Sequence, residues 1–170
     1  MAIETEKKFL VDADAFRDVL NQLVHGESPD GMTLLATKKL QQAYIARSEK
    51  WVLRVRITQG STAELCVKER ASGESRLEFE YPTPLAEALA MFNSVDDRIS
   101  KTRYVIVQNR LTWEVDVFAD LNDGLVVAEL EGEDLVIDEL PSFVRQEVTD
   151  DIRYYNDQLT KRPFTTWTES

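Results

Sequence analysis

The fold is decided by a stretch near the N-terminus, Ile3-Glu4-Thr5-Glu6-Lys7-Lys8-Phe9, which has the character of a β-strand. Alternate side chains of a strand point to the same face, so Glu4, Glu6 and Lys8 project together, each about 7 Å from the next. Two adjacent carboxylates repel each other unless a cation lies between them, and the lysine beside them indicates that an anion arrives as well. A charged, solvated strand face is the plainer explanation of three such residues, so the rest of the chain decides between the two.

Composition predicts one globular domain. The chain has 170 residues, of which 43% are hydrophobic, which is enough for a single domain over residues 1–170 with its own core. The sequence contains neither an apolar run long enough to cross a bilayer nor the apolar region of a signal peptide. Cys66 is the only cysteine, which excludes an intrachain disulfide and fits a reducing compartment. We therefore expect a cytoplasmic protein with no membrane partner.

The charged residues restrict the ligands. One cysteine and one histidine argue against a zinc site, whereas 31 acidic residues are compatible with an oxygen-ligated cation such as Mg²⁺ or Mn²⁺. The formal net charge of −11 argues against nonspecific binding of nucleic acid. An anionic ligand must therefore meet a local cluster drawn from the 20 lysines and arginines.

Alternation of apolar and charged residues predicts eight strands, at residues 3–9, 37–46, 51–57, 63–69, 76–81, 98–108, 111–119 and 125–131. Short turns join most of them, including turns at residues 59–61, 71–74 and 109–110, so the strands are mostly antiparallel. An even number of antiparallel strands can close on itself and leave no open edge. We predict a mainly β, α+β fold in which an eight-stranded antiparallel closed β-barrel forms a tunnel with surrounding helices.

Four helices are predicted around the strands. The first begins at a cap provided by Asp12 or Asp14 and ends before Gly26. A second, short helix begins with Thr83 as its cap and Pro84 in its first turn. After the last strand, a short helix is expected from Leu140, and another from Asp150 or Asp151.

Charged residues of one sign share the polar face of most predicted strands. Each such face alone is explained by a solvated sheet surface, but neighbouring like charges are unfavourable on a plain surface. If the apolar faces pack outward against helices, the charged faces line the barrel. The basic set is Lys8, Arg54, Arg56, Lys68, Lys101 and Arg103. The acidic set is Glu4, Glu6, Glu78, Glu80, Glu114, Asp116, Glu129 and Glu131.

A mixed lining with an excess of carboxylates suits a polyphosphate that arrives with a divalent metal. Arginine and lysine side chains bind phosphate oxygens, and carboxylates bind Mg²⁺ or Mn²⁺, which in turn bridges phosphates. Without the metal, the carboxylates would repel the same ligand. The predicted partner is thus a small-molecule polyphosphate rather than a nucleic acid.

The order of these motifs is that of a known family. Glu-x-Glu-x-Lys, Arg-x-Arg, a strand lysine, Glu-x-Glu, Lys-x-Arg, Glu-x-Asp and Glu-x-Glu follow one another between Glu4 and Glu131. This series resembles the CYTH superfamily of triphosphate tunnel metalloenzymes. The segment Val148-Thr149-Asp150-Asp151-Ile152-Arg153-Tyr154-Tyr155-Asn156 is similar to the C-terminal helix of the bacterial members. The resemblance implies an eight-stranded tunnel that hydrolyses or rearranges triphosphates with a divalent metal.

The resemblance also implies roles for individual residues. Glu4, Glu6 and Glu131 correspond to metal ligands, and Glu129 to a residue that helps a second metal or positions the attacking water. Glu129 and Lys8 are therefore the implied catalytic residues. The basic set corresponds to the residues that grip the triphosphate, and Glu78, Glu80, Glu114 and Asp116 to the remaining acidic lining. Arg153 and Tyr154 are candidates for closing one end of the tunnel.

Four activities stay open at this stage, with an inorganic triphosphatase as the leading one. A class IV adenylate cyclase would use the same tunnel, but that branch usually has additional residues before its Glu-x-Glu-x-Lys motif, and only three residues precede Glu4. A thiamine triphosphatase is the third candidate. The fourth is a polyphosphate- or nucleotide-binding module without activity, whose expected mark, the loss of an acidic ligand, is not seen. We expect a monomer or a homodimer.

Overall fold

The computed structural model describes residues 3–70 and 74–168 and is built mainly from nine strands. The strands are β1 (Ile3–Val11), β2 (Thr33–Arg47), β3 (Trp51–Thr58), β4 (Thr62–Glu69), β5 (Ser75–Pro82), β6 (Arg98–Gln108), β7 (Leu111–Phe118), β8 (Val126–Glu131) and β9 (Val144–Glu147). Its α-helices are α1 (Ala13–Val24), α2 (Leu85–Asn93) and α3 (Asn156–Leu159). The turn predicted at Ala71, Ser72 and Gly73 lies outside the described residues.

Eight of the strands close into an antiparallel barrel. They pair in the order β5-β4-β3-β2-β6-β7-β8-β1, and β1 also pairs with β5, which completes the circle. In this closure Glu4 lies opposite Arg76 on β5, and Glu6 lies opposite Glu131 on β8. The prediction of an eight-stranded closed barrel is confirmed, and the first strand of the sequence is the one that closes it.

The apolar strand faces point outward and are covered by helices. Helix α1 buries Phe16, Val19 and Leu23 against a cluster that includes Phe9 and Trp113. Asp12 caps this helix by accepting a hydrogen bond from the backbone N–H of Ala15 at 2.9 Å. Helix α2 packs its Ala88 against Ala43, Val55 and Ile57 of β2 and β3. In α2 the N-cap is Pro84 without a side-chain bond, so the expected cap by Thr83 is not formed.

The chain after β8 differs from the prediction. The helix expected from Leu140 is wrong, because Val144–Glu147 forms β9, which pairs with the edge of β1 and so satisfies its own backbone groups. The second expected helix is broken into a 3₁₀ turn at Ile152–Tyr154 and the four-residue α3. The break is at Tyr155, whose φ of −73° and ψ of 136° are extended.

The C-terminal segment, residues 148–167, packs into one end of the barrel. Its Val148, Tyr154 and Leu159 join inner-face residues of the strands in a buried apolar cluster. The barrel residues of this cluster include Tyr44, Val52, Ile99, Phe118 and Val127. Of the helices in the described residues, none is long and apolar enough to cross a membrane. The apolar cluster fills this end of the barrel, and the charged inner faces line a cavity beside it.

Candidate active site

The barrel encloses a cavity of about 450 Å³ whose wall is mainly charged. Nine of the residues predicted from the sequence line it: Glu4, Glu6, Lys8, Arg54, Arg56, Lys68, Arg103, Glu129 and Glu131. They come from five different strands and meet because each is on the inner face of its strand. The alternation in the sequence thus assigned these side chains to the correct face.

Three carboxylates converge at one side of the cavity. Oxygen atoms of Glu4, Glu6 and Glu131 all lie within 4.8 Å of one another, and we call this set the acidic triad. Burial, opposed by Lys68 and reinforced by Glu78, raises the pKa of Glu4. Partial burial, with the charges of Glu114 and Glu129, raises the pKa of Glu131. Carboxylate oxygens at this spacing are the donors that Mg²⁺ and Mn²⁺ prefer, so the triad fits such a cation.

Glu129 is not part of the triad. It lies directly opposite Lys8 across the β1–β8 pair and accepts a hydrogen bond from the Lys8 ammonium. Arg103 donates to its other oxygen at 2.9 Å. Burial opposes ionisation of Glu129, but Lys8 and Arg103 outweigh it and hold its pKa well below the ordinary value. Glu129 is therefore a buried anion that fixes two cations of the cavity wall.

The predicted acidic lining holds Arg54, Lys68 and Arg103, whereas Arg56 pairs with Glu64 at 3.2 Å. Arg54 contacts Glu78 at 3.4 Å and Glu80 at 3.6 Å, and Lys68 contacts Glu78 at 3.0 Å. Arg103 is bound by Glu114 as well as by Asp116. None of the four predicted carboxylates lines the cavity itself among the described residues, so they act behind the cations.

Cys66 lies on the inner face of β4, opposite Arg54. Its thiol donates to Oε1 of Glu78 at 3.1 Å. Burial, reinforced by Glu78, raises the pKa of the thiol to about 12, so the sulfur stays protonated. It is a buried, inert side chain.

Lys101 is the one predicted basic residue that does not reach the cavity wall. Its ammonium lies 2.5 Å from Oδ2 of Asp116, and both side chains are fully buried. Burial lowers the pKa of Lys101 to about 8, although the charge of Asp116 opposes this. Asp116 also accepts two hydrogen bonds from Arg103, at 2.7 and 2.8 Å. The pair therefore supports Arg103 from below the wall.

Eleven further residues line the cavity, and two that the sequence did not single out, Arg76 and Tyr155, lie against predicted site residues. Arg76 shares the inner face of β5 with Glu78 and Glu80, and the alternation already contained this signal. Its Nε donates to Oε2 of Glu4 at 3.1 Å, and its guanidinium also pairs with Glu6. Tyr155 is the second, and its ring centroid lies 5.9 Å from Nζ of Lys8 and 5.3 Å from the guanidinium carbon of Arg76.

The C-terminal segment closes part of the cavity, but with other residues than predicted. Tyr154 is buried in the apolar cluster, where it packs edge-on against Trp167 at 5.2 Å. Arg153 is exposed and pairs with Asp151. The residues of this segment that line the cavity are Ile152, Tyr155, Asn156, Asp157 and Gln158. No sequence signal marked them, because the break at Tyr155 decides which side chains face inward.

Comparison with known proteins gives consistent relatives. The family model of the CYTH domain matches residues 2–163. An inorganic triphosphatase of Acetivibrio thermocellus is 33% identical over 172 residues, which cover 99% of this chain and 100% of the relative. The crystal structure of the inorganic triphosphatase NE1496 has a TM-score of 0.61 at 27% identity, with 92% of this chain and 97% of that chain covered. HpAC1 of Hippeastrum, described as having a dominant triphosphatase activity, shares the fold with a TM-score of 0.55 at 15% identity, over 79% of this chain and 80% of that chain.

Proposed function

Because the chain belongs to the CYTH family, we propose that it is a metal-dependent triphosphatase that hydrolyses inorganic triphosphate to pyrophosphate and phosphate. The observation that carries the proposal is the acidic triad facing a wall of arginines and lysines inside one cavity. Carboxylates suited to a metal ion and cations suited to a polyanion share that space, as hydrolysis of a triphosphate requires. We also propose that residues 1–170 form a single domain. A cytoplasmic location and the choice between monomer and homodimer stay predictions from the sequence.

We propose that Glu4, Glu6 and Glu131 hold Mg²⁺ or Mn²⁺. When bound, such a cation neutralises phosphate charge and orients a water molecule for attack. The family relationship supports metal dependence, and the convergence of three carboxylates within 4.8 Å supports these residues as ligands. Glu129 lies outside this group of three converging carboxylates and is the less suitable ligand.

The basic wall then binds and orients the substrate. We assign phosphate oxygens to Lys8, Arg54, Arg56, Lys68 and Arg103, with Arg76 added from the structure. Glu129 holds Lys8 and Arg103 at fixed positions, so that these cations meet the charge that develops on the reacting phosphate. Phosphoryl transfer depends mainly on positioning and on charge neutralisation, and it requires no covalent nucleophile from the protein.

The aromatic residues of the cavity favour inorganic triphosphate over nucleotides and thiamine triphosphate. Tyr44 and Tyr155 line the cavity. One face of Tyr44 is covered by the guanidinium of Arg47 at 4.9 Å, and Lys8 and Arg76 lie against Tyr155. Rings already engaged by cations offer little surface for stacking a base or a thiazole.

The test is release of phosphate from inorganic triphosphate, ATP and thiamine triphosphate, each with Mg²⁺ and with Mn²⁺. We expect the fastest release from inorganic triphosphate, dependence on metal, and a loss of at least about 100-fold in Glu6→Gln. Formation of cyclic AMP and pyrophosphate from ATP would instead identify a cyclase. Binding of triphosphate without any turnover would identify a binding module.

A further inference from the structure

We propose that Arg76 competes with the metal for the acidic triad, and that the metal, by displacing Arg76, turns it into a ligand for the triphosphate. This inference rests on the proposed function, because it takes the triad as the metal site. It predicts that metal and triphosphate bind cooperatively, with the metal preparing the cavity for its anion.

The contacts of Arg76 place it on the carboxylates of the triad. Arg76 lies opposite Glu4 across the β1–β5 pair, at the point where the barrel closes. Its Nε donates to Oε2 of Glu4 at 3.1 Å, and its terminal nitrogen pairs with Oε1 of Glu6. The side chain of Arg76 is 6% exposed and that of Glu6 7% exposed, so water screens the pair poorly. One guanidinium thus bridges two of the three proposed metal ligands.

Glu131, the third carboxylate of the triad, differs from the other two in its contacts and exposure. Within the described residues, Glu131 forms no ion pair, and it is the exposed member of the triad. A divalent cation that takes an oxygen from each carboxylate enters beside Glu131 and competes with Arg76 for Glu4 and Glu6. Lys68 also contacts Glu4, at 2.5 Å, but it retains Glu78 at 3.0 Å as a second partner. Arg76 has only the two triad carboxylates as ion-pair partners in the part of the chain that the structure describes.

A displaced Arg76 therefore needs a new anion. Breaking a buried ion pair by removing one partner is strongly unfavourable, because it leaves a buried charge without compensation. Arg76 already lines the cavity, and the ring of Tyr155 lies 5.3 Å from its guanidinium carbon. Phosphate oxygens of the substrate are the anion that can reach it there, and guanidinium binds them with two parallel hydrogen bonds. Binding of triphosphate then relieves the cost of displacing Arg76.

The competition predicts that loss of the Arg76 charge changes the affinity for the metal and the affinity for triphosphate in opposite directions. Neutralising Arg76 removes the competitor of the metal, so the affinity for the metal alone should rise. The same change removes a phosphate ligand, so the affinity for triphosphate in the presence of metal should fall. Coupling between two ligands is reciprocal. In a variant without the Arg76 charge, the metal should therefore enhance triphosphate binding less, and triphosphate should enhance metal binding less by the same factor. If Arg76 only supported the barrel, its replacement would weaken the binding of both ligands.

The experiment is calorimetric titration of the full chain with Mn²⁺ alone, and then with a non-hydrolysable imido analogue of triphosphate at saturating Mn²⁺. The variants are Arg76→Gln and Arg76→Lys, and the control is Arg17→Gln, which removes the same charge from the exposed side of α1. We expect Arg76→Gln to bind Mn²⁺ about tenfold more tightly than the wild type and the analogue about tenfold more weakly. The affinities of Arg76→Lys for Mn²⁺ and for the analogue should lie between those of the wild type and Arg76→Gln, because an ammonium cannot bridge two carboxylates as a planar guanidinium does.

Several outcomes overturn the proposal. If the wild type binds Mn²⁺ and Arg76→Gln binds it equally or less tightly, Arg76 does not compete with the metal, and the proposed function stands. If the wild type and both variants bind no Mn²⁺, the proposed metal site fails and this inference fails with it. Thermal unfolding with and without Mn²⁺ is the second readout. It should show a larger stabilisation by Mn²⁺ in Arg76→Gln than in the wild type, and an equal stabilisation in Arg17→Gln.

Discussion

Replacing Asp116 by asparagine should destabilise the protein severely, although the residue lies behind the cavity wall. Asp116 is fully buried and accepts three charge-assisted hydrogen bonds, one from Lys101 at 2.5 Å and two from Arg103 at 2.7 and 2.8 Å. Removal of one partner from a buried ion pair costs about 3–5 kcal/mol, because the opposite charge stays buried without compensation. Lys101 has no other carboxylate within ion-pair distance among the described residues.

A loss of this size is large compared with the total stability of a domain, which is about 5–15 kcal/mol. We expect Asp116→Asn to lower the free energy of unfolding in urea by about 3–5 kcal/mol, and the melting temperature by about 10 °C. Equilibrium unfolding followed by tryptophan fluorescence measures it. The control is Asp123→Asn, the same chemical change in an exposed loop, which should cost less than about 0.5 kcal/mol.

Two further variants test whether the unpaired Lys101 ammonium causes the loss of stability. Lys101→Met removes the cation and leaves Asp116 bound to Arg103, so it should cost less than half as much as Asp116→Asn. Combining Lys101→Met with Asp116→Asn should recover part of the loss, because the stranded ammonium is gone. If Asp116→Asn costs no more than Asp123→Asn, or if the double variant is simply the sum of the two, the buried pair does not carry the predicted energy.

Three more predictions concern the charged side chains of Lys101, Asp12 and Arg47. Burial lowers the pKa of Lys101 to about 8 from an ordinary value of 10.5, so between these two pH values the unfolded chain binds more protons than the folded protein. The stability of the wild type, measured by urea unfolding, should therefore rise from pH 8 to pH 10.5 relative to that of Lys101→Met. An equal dependence of stability on pH in the two proteins would contradict this. Asp12→Ala should lower the melting temperature by about 2–4 °C through loss of the α1 cap, and Asp12→Asn by less. Contacts with Ala15 and Arg145 lower the pKa of Asp12, so the advantage of the wild type over Asp12→Asn should shrink as the pH falls below the ordinary aspartate pKa and vanish only below the lowered folded pKa; an advantage that does not shrink would count against the charge. Arg47 contacts Thr160 at 2.8 Å and the backbone oxygen of Asp157 at 3.2 Å. Arg47→Ala should therefore speed amide hydrogen exchange in the C-terminal segment but not in α1. Unchanged exchange in that segment would show that the apolar cluster alone holds it.

The barrel and most of its charged lining could be predicted because a strand has a period of two. Alternation tells which face a side chain takes, and a closed barrel converts one face into an interior. Arg76 carries the same signal, because it alternates with Glu78 and Glu80 on β5. Alternation does not tell how deep a residue lies along the barrel axis, because depth depends on the stagger between strands. Lys101 was therefore placed on the correct face and at the wrong height.

The residues after β8 could not be predicted in the same way. Val144–Glu147 is a strand because the edge of β1 offers it backbone partners, and the local sequence does not show that edge. Tyr155 enters the cavity because its backbone is extended between a 3₁₀ turn and α3. Its hydroxyl then donates to the backbone oxygen of Thr149 at 3.0 Å, which fixes the ring near Lys8. These contacts arise only after the barrel has closed.

Closure through β1 also sets the order in which the molecule can assemble. Glu6 pairs with Glu131, and Phe9 pairs with Glu147, so the first strand finds its partners only after nearly the whole chain is available. Such distant pairings fold slowly, because loop-closure entropy is lost before the contacts form. The acidic triad spans β1 and β8 and is therefore among the last features to form. A divalent cation bound there should slow the unfolding rate and leave the refolding rate unchanged.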